Sequence, residues 1–244
     1  SKYPLIGGLR SSAQLISYEL AMGLAIVSIV LLAGSLRLND IVANQQGYIF
    51  SWNVCKQPLA FLIFLIAVYA ETNRLPFDLT ECEQELVGGY HTEYSGIKFA
   101  LIQAAEFGGV LVVSALIMTL FLGGWSGPWE EYWGWVWFLV KTILVVAVFS
   151  WIRDTFPRLR IHQIMAFSWK VMLPLSIINL AATAIEVYVF KSGGITTLEL
   201  WVMGIFNLLI AAACLPLFGR LMKYKARQSN PSVVSQVSRD GSTG

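Results

Sequence analysis

Long apolar runs separated by short polar segments set the pattern of this 244-residue chain. A helix that crosses a bilayer needs about 20 predominantly apolar residues, and six segments meet or approach that length. They lie at 13–36, 55–74, 97–122, 134–152, 171–190 and 200–221. The second has a clean apolar run only over 58–70, so it spans only if Glu71 sits in or near the membrane boundary. The pattern predicts an all-α integral membrane protein with about six transmembrane helices.

The composition supports that fold class. Hydrophobic residues make up 56% of the chain and charged residues 13%, and the mean hydropathy is +0.63. These values are unusual for a soluble domain. We therefore expect a polytopic membrane domain over 1–227, with its last helix at about 200–221. The small polar residues of 228–244 predict a disordered tail.

Lysine and arginine are unequally divided between the two predicted sides of the membrane. Short cytoplasmic loops carry an excess of both residues. One side has Lys2, Arg10, Arg74, Arg153, Arg158, Arg160, Arg220, Lys223, Lys225 and Arg227, and the other has Arg37, Lys56 and Lys191. We predict that both ends of this chain, and the loop between the second and third helices, face the cytoplasm. The tryptophan-rich segment at 125–137 predicts an interfacial aromatic belt on the other side.

That loop is strongly acidic. The stretch "ETNRLPFDLTECEQELVGGYHTEYSG", residues 71–96, holds six carboxylates and one arginine. Like charges so close together cannot all ionise in a partly buried site, so they would titrate as a coupled set able to accept and pass protons. Arg74 could pair with Glu71 or Asp78, or present its guanidinium to a polar head group. A solvated acidic loop is the alternative, which the interleaved aromatic and apolar residues disfavour.

Four of the ionisable side chains inside the predicted spans stand out, namely Glu19, Glu106, Lys141 and Glu186. A charge near the bilayer centre costs at least about 2.5 kcal/mol on insertion scales, so each is a candidate functional group. Glu19 and Glu106 are deep and short, and we expect them to face protein or water. Glycines 108 and 109 fit a closely approaching neighbour helix. Glu186 is interpreted first as a side chain that reaches water. For Lys141, two interpretations stay open, a side chain that reaches water and a functional group.

The chain offers no motif for a nucleotide or a metal. Cys55, Cys82 and Cys214 lie far apart without CxxC spacing, which argues against an iron–sulfur or zinc site built from this chain alone. Neither GxGxxG nor GxxxxGK[ST] occurs, so the sequence predicts neither a dinucleotide site nor an ATP site.

Three segments together resemble a known family. "AETNRLPFDLTECEQELVGGYHTEYSG", followed by "IKFALIQAAEF", closely resembles the signature of the H subunit of the proton-pumping NADH:quinone oxidoreductase, respiratory complex I. "KYPLIGGLRSSAQLISYEL" and "FPRLRIHQIMAFSWKVMLPLSIINL" are similar to the same subunit in order and spacing. The resemblance covers about residues 2–190.

The resemblance implies a membrane subunit of this enzyme, without a redox centre of its own, that forms part of the quinone chamber and couples quinone reduction to proton translocation. Quinone is then the substrate. FMN and iron–sulfur clusters are expected in partner subunits, and no covalently bound or metal-ligated cofactor is expected in this chain. The implied partners are the soluble subunits of the quinone site, the antiporter-like membrane subunits and the lipid bilayer, with no nucleic acid. The implied location is a bacterial inner membrane.

The resemblance also assigns site residues by position. The implied proton path comprises Glu19, Glu71, Asp78, Glu81, Glu83, Glu85, Glu93 and Glu106. The implied quinone-chamber residues are Arg74, Phe77 and Phe99.

Three features depart from the family pattern. Full-length relatives have a further group of helices before this start, so we expect an incomplete sequence. Ile161 and His162 stand where relatives commonly have a tyrosine and an aspartate, which puts any role of that aspartate in doubt. The helix after Leu200 is an addition that only some members carry.

Other functions stay open at this point. A subunit of a membrane-bound hydrogenase or of a ferredoxin- or F420-linked complex would share the same ancestry. A stand-alone ion transporter would also carry intramembrane acids, but the missing repeat symmetry disfavours it. A purely structural membrane anchor would leave the buried acids unexplained.

Overall fold

The structure is a computed structural model that describes residues 2–47, 51–72, 77, 96–155, 161–190, 202, 204–210 and 212. Within these residues every regular element is helical. The elements are α1 (Lys2–Ala33), α2 (Leu38–Ala43), α3 (Asn53–Lys56), α4 (Pro58–Glu71), α5 (Ile97–Phe121), α6 (Glu130–Thr155), α7 (Ile161–Phe167) and α8 (Leu173–Phe190). A π-helical turn, Ser168–Met172, joins α7 to α8 without a break, and residues 204–210 form a further helical segment.

Four helical stretches within the described part of the chain are long and apolar enough to cross a membrane. They are Ser11–Ala33, Ile97–Phe121, Tyr132–Thr155 and Ile164–Val189. This confirms the predicted all-helical membrane fold. The predicted last helix at 200–221 is described only at 202, 204–210 and 212, which are helical, and the predicted tail at 228–244 lies outside the described residues.

The second predicted span differs in the structure. Instead of one helix over 55–74, α3 ends at Lys56 and α4 runs only from Pro58 to Glu71. Proline has no N–H and keeps the preceding residue out of the helical region, and Gln57 accordingly has φ −135° and ψ 68°. Fourteen residues of helix extend about 21 Å, less than the roughly 30 Å hydrocarbon core.

Helices α1, α4 and α8 form the packed centre of the described chain. Helix α1 packs against both α4 and α8, while α5 pairs with α6. The rings of Phe61 and Phe64 lie 5.3 and 5.4 Å from the ring of Phe121, which joins α4 to the end of α5. Large apolar side chains on α5 and α6, including Val112 and Ile143, are exposed. These faces suit contact with lipid or another membrane helix.

A polar loop closes the end of α5. Gln45 is fully buried, and its amide nitrogen donates to the carbonyls of Ile41 and Thr119, both at 3.1 Å. Its amide oxygen accepts from the backbone N–H of Asn53 at 3.2 Å and of Gly123 at 3.1 Å. Gly123 has φ +72°, and a Cβ there would collide with Trp52. Only glycine therefore fits this turn.

Lys141 also binds the loop at the end of α5. Its Nζ donates to the carbonyl oxygens of Leu122, Gly124 and Ser126 at 3.0, 3.2 and 2.8 Å, and it lies 4.5 Å from the ring centroid of Trp52. A cation at the carboxyl end of a helix is stabilising because the last carbonyls there lack helical partners. This role is neither of the two interpretations left open for Lys141, a side chain that reaches water or a functional group, since the ammonium binds backbone carbonyls.

Several tryptophans of the predicted aromatic belt are exposed in the structure. Trp129, Trp133 and Trp135 surround the start of α6 and are 82%, 53% and 68% exposed. Such exposed indole rings suit the boundary between lipid and water.

Candidate functional site

The predicted site residues fall into two groups. Glu19, Glu71, Phe77, Phe99 and Glu106 are described. Arg74, Asp78, Glu81, Glu83, Glu85 and Glu93 lie outside the described residues, as do Ile161 and His162 beyond their helical backbone.

Glu71 and Glu19 interact electrostatically near the end of α4. Glu71 is the last residue of α4 and is half-buried, and its carboxylate lies close enough to that of Glu19 for the two to repel. Glu19 itself is exposed on α1. The reason is helical spacing: Gln14, Tyr18 and Ala21 occupy the packed face, and Glu19 is turned about 100° away from Tyr18.

Gln14 bonds both to the end of α4 and to Phe77. This buried side chain donates from Nε2 to the carbonyl of Ala70 at 2.7 Å and to the carbonyl of Phe77 at 3.0 Å. Ala70 belongs to the last turn of α4, whose carbonyls have no partner within the helix. One amide group therefore holds both the end of α4 and the start of the acidic stretch against α1.

The two phenylalanines of the predicted quinone chamber differ in surroundings. Phe77 is buried, and its ring meets that of Tyr18 edge to face with centroids 5.7 Å apart. Tyr18 in turn donates its hydroxyl to the carbonyl of Ile164 at 3.1 Å. Phe99 is 44% exposed in the first turn of α5. Phe77 is thus a core contact between the acidic stretch and α1, whereas Phe99 lies on the surface.

Glu106 is half-buried on α5, and the next residue, Phe107, lines an apolar groove. The groove has a volume of ≈ 240 Å³ and is lined by Tyr69, Phe107, Val110, Leu111, Val146, Phe149, Ser150 and Arg153. Tyr69 closes one side, since its hydroxyl donates to the carbonyl of Phe149 at 2.6 Å and the two rings stack at 4.9 Å. Sequence reasoning missed this groove, because its lining comes from three helices far apart in the chain.

The glycines beside Glu106 do not have the neighbour that we expected. Nothing in the described chain lies within 4 Å of where a Cβ on Gly108 or Gly109 would be. The close helix approach predicted from these small residues is therefore not made within the described residues.

Glu186 corrects another expectation. It lies near the end of α8, yet only 4% of it is exposed, so it does not simply reach water. The side-chain amide of Asn207 donates to its two carboxylate oxygens at 2.9 and 3.2 Å. Sequence reasoning also missed Gln14, whose signal is a long amide within an otherwise apolar helix face.

Replacing Gln14 with leucine is expected to loosen the start of the acidic stretch. Loss of the two hydrogen bonds should cost about 1 to 3 kcal/mol, because buried carbonyls are left without a donor. The measurement is hydrogen–deuterium exchange of the peptide that contains Ala70 and Phe77, which should become faster. Ser12→Ala is the control, since the Ser12 hydroxyl is exposed and bonds only within its own helix. Equal exchange in wild type and Gln14→Leu would contradict this prediction.

Comparison with known proteins agrees with the resemblance in the acidic stretch. The family model for NADH dehydrogenase matches residues 1–184. The first H subunit of the NADH-quinone oxidoreductase of Geobacter metallireducens and the second of Geobacter sulfurreducens are each 52% identical over 183 residues, covering 75% of this chain and 54% of the relative. The H subunit of the Deinococcus deserti enzyme is 46% identical over 230 residues, covering 89% of this chain and 56% of the relative.

The match is long but partial. The chain spans about half the length of the relatives that it matches. At this identity, and over three quarters of the chain or more, the relationship is not in question. The chain therefore belongs to the NADH dehydrogenase family and is a relative of the H subunit of NADH-quinone oxidoreductase.

Proposed function

We propose that this chain is the membrane subunit of a proton-translocating NADH:quinone oxidoreductase that forms part of the quinone chamber and couples quinone reduction to proton movement. Its relatives are named as the H subunit of NADH-quinone oxidoreductase. The observation that carries the proposal is the junction at the end of α4. There the charge of Glu19 acts on Glu71, and Gln14 ties the start of the acidic stretch to α1.

The chemistry follows from what quinone reduction requires. A quinone takes up two electrons and two protons, and in this proposal the electrons come from FMN and iron–sulfur clusters in partner subunits. This chain supplies the binding surface and the ionisable groups. Arg74, Phe77 and Phe99 contribute to the chamber, with Phe77 acting from within the core through Tyr18.

Proton movement starts from charge on the reduced quinone. Negative charge there attracts protons to nearby carboxylates, and a coupled set passes that change on. The proposed set is Glu19, Glu71, Asp78, Glu81, Glu83, Glu85, Glu93 and Glu106. Glu19 is exposed on this chain, and since lipid contact would be costly for a carboxylate, protein or water has to cover it.

The assembly follows from the same proposal. The domain at 1–227 crosses a bacterial inner membrane about six times, with both ends of this chain on the cytoplasmic side, and 228–244 is a polar tail. The soluble subunits of the quinone site and the antiporter-like membrane subunits are its partners. Purification in mild detergent should retain iron–sulfur subunits, whereas a stand-alone transporter would run without them.

The test is to neutralise Glu71 and Glu106 separately with glutamine in the assembled enzyme. Each variant should lower quinone reduction or proton pumping by roughly tenfold or more, the scale expected when a proton-transferring group is removed. Both rates are measured in proteoliposomes. Asp154→Asn is the matched control, since that carboxylate is exposed at the end of α6. Unchanged rates in both glutamine variants would remove these residues from the mechanism.

A further inference from the structure

One side of α6 is exposed along almost the whole length of the helix. Trp133, Val140, Leu144 and Trp151 are each at least 50% exposed, while Ala147 is exposed and Val136 is partly buried. Successive spacings of three or four residues keep all of these side chains on one side of an α-helix. We call this set the α6 stripe, which consists of Trp133, Val136, Val140, Leu144, Ala147 and Trp151.

The packed face of α6 lies on the opposite side of the helix. Thr142, Val145 and Phe149 are buried there, and the ring of Phe149 stacks on that of Tyr69 with centroids 4.9 Å apart. The ammonium of Lys141 is also turned inward, since it binds backbone carbonyls of the loop after α5. The α6 stripe is therefore a surface that something outside the described residues has to cover.

Tryptophans end the α6 stripe at a distance that matches a bilayer. Trp151 follows Trp133 by 18 residues, which is about five full turns, so both rings leave the helix on the same side. The same separation is about 27 Å along the axis, close to the roughly 30 Å of a hydrocarbon core. Tryptophan is enriched at both membrane interfaces because its ring is apolar while its N–H is polar.

Polar residues follow the α6 stripe where the membrane would end. The side chains of Arg153 and Asp154, just beyond Trp151, are 45% and 70% exposed. Between the two tryptophans, all four residues of the stripe are aliphatic. The profile along this side of α6 is thus aromatic, aliphatic and aromatic again, as expected for a surface that crosses a bilayer in contact with lipid.

The residue types favour lipid over a partner helix. Contacts between membrane helices are enriched in small residues, which let the backbones approach, and in polar groups that bond across the interface. The α6 stripe has one small residue, Ala147, and no polar residue between its tryptophans. The exposed side of α5 differs, because it carries Ala104 and Ala105 in adjacent positions. The α6 stripe therefore lacks the features on which a second helix would pack.

We propose that the α6 stripe is a lipid-facing edge of the assembled complex. Phospholipid acyl chains cover the aliphatic residues from Val136 to Ala147, and Trp133 and Trp151 lie at the two headgroup layers, where they fix the depth of α6 in the membrane. No other subunit packs on this side of α6. The inference rests on α6 alone, so it holds whichever electron reaction the complex catalyses and can fail while the proposed function stands.

The test is photo-crosslinking in the assembled complex in its native membrane. The photoreactive residue p-benzoylphenylalanine replaces Val140, Leu144 or Trp151, one at a time, and the membranes are then irradiated. Mass spectrometry of the chain detects phospholipid adducts, and gel electrophoresis detects covalent links to other subunits. We expect phospholipid adducts at all three positions. A covalent link from Val140 or Leu144 to another subunit would overturn the proposal.

Phe149 supplies a matched control on the same helix. It is aromatic, only 3% exposed and stacked on Tyr69, so p-benzoylphenylalanine at this position should link α6 to α4 within the chain and give no lipid adduct. Lipid adducts as frequent at Phe149 as at Leu144 would contradict the assignment of the two faces.

A second pair of variants needs no photoreactive residue. Leu144→Trp adds bulk to the α6 stripe, which fluid lipid accommodates, whereas Val145→Trp adds the same kind of bulk to the packed face, where overpacking is destabilising. We expect the yield of assembled complex to stay at the wild-type level in Leu144→Trp and to fall in Val145→Trp. A loss in Leu144→Trp as large as that in Val145→Trp would show that protein, and not lipid, covers the α6 stripe.

Discussion

Replacing Gln45 with leucine is expected to lower the free energy of unfolding by at least about 3 kcal/mol. The leucine fills a similar volume, but the backbone N–H groups of Asn53 and Gly123 and the carbonyl of Thr119 lose their partner. These groups are buried or partly buried, so each would be removed from water without a hydrogen-bond partner, which destabilises the fold. The measurement is the denaturant midpoint of the purified protein in detergent, followed by tryptophan fluorescence.

The neighbouring residue supplies a matched control. Gln46 is exposed, so Gln46→Leu makes the same chemical change outside the network and should shift stability by less than about 0.5 kcal/mol. Equal losses in the two variants would mean that leucine itself is harmful in this loop. A wild-type midpoint in Gln45→Leu would mean that the four hydrogen bonds contribute nothing net.

Replacing Lys141 with methionine should be about as damaging, with a loss of at least about 3 kcal/mol. Methionine keeps an apolar chain of similar length but leaves the three carbonyls of Leu122, Gly124 and Ser126 without the ammonium that binds them. Hydrogen bonds to charged groups contribute more than neutral ones, and this cation also lies over Trp52. The melting temperature and the yield of assembled complex report the loss.

Two further substitutions separate charge from geometry at Lys141. Lys170→Met removes an exposed lysine from the π turn and should leave the melting temperature unchanged. Lys141→Arg keeps the charge, but a planar guanidinium cannot point three donors at carbonyls arranged around one nitrogen, so it should restore only part of the stability. Full stability in Lys141→Arg would mean that charge alone matters there.

The sequence predicts the spanning helices because the hydrocarbon core sets their length and composition. Helices α5 and α6 needed nothing more than a long apolar run. The end of α3 is harder to predict, because one proline interrupts the helix within a stretch that hydropathy treats as a single apolar segment. Helix ends of this kind depend on steric restriction of the backbone at a single residue, here Gln57. Hydropathy averaged over a window does not detect such a restriction.

The candidate site was only partly predictable, for a different reason. Residue type identified Glu71 and Glu106 as unusual, but not which way a side chain on a helix would face. Glu19 is exposed while Gln14, five positions earlier, is buried. The decisive partners are also distant in sequence, since Gln14 bonds to Ala70 and Gln45 to Thr119. Single-sequence patterns carry no information about such contacts.

The π turn at Ser168–Met172 bears on how α7 and α8 are oriented about their common axis. A turn closed by i to i+5 hydrogen bonds holds one residue more than an α-helical turn, and one residue corresponds to a rotation of about 100°. Ser168 bonds to Ser17 before this offset, and Asn179 bonds to Ser28 after it. The wide turn thus takes up one extra residue, while the segments before and after it each keep a polar side chain bonded to α1. Deleting a single residue from the turn should therefore convert it into an ordinary α-helical turn and leave the later side chains of α8 with their present partners.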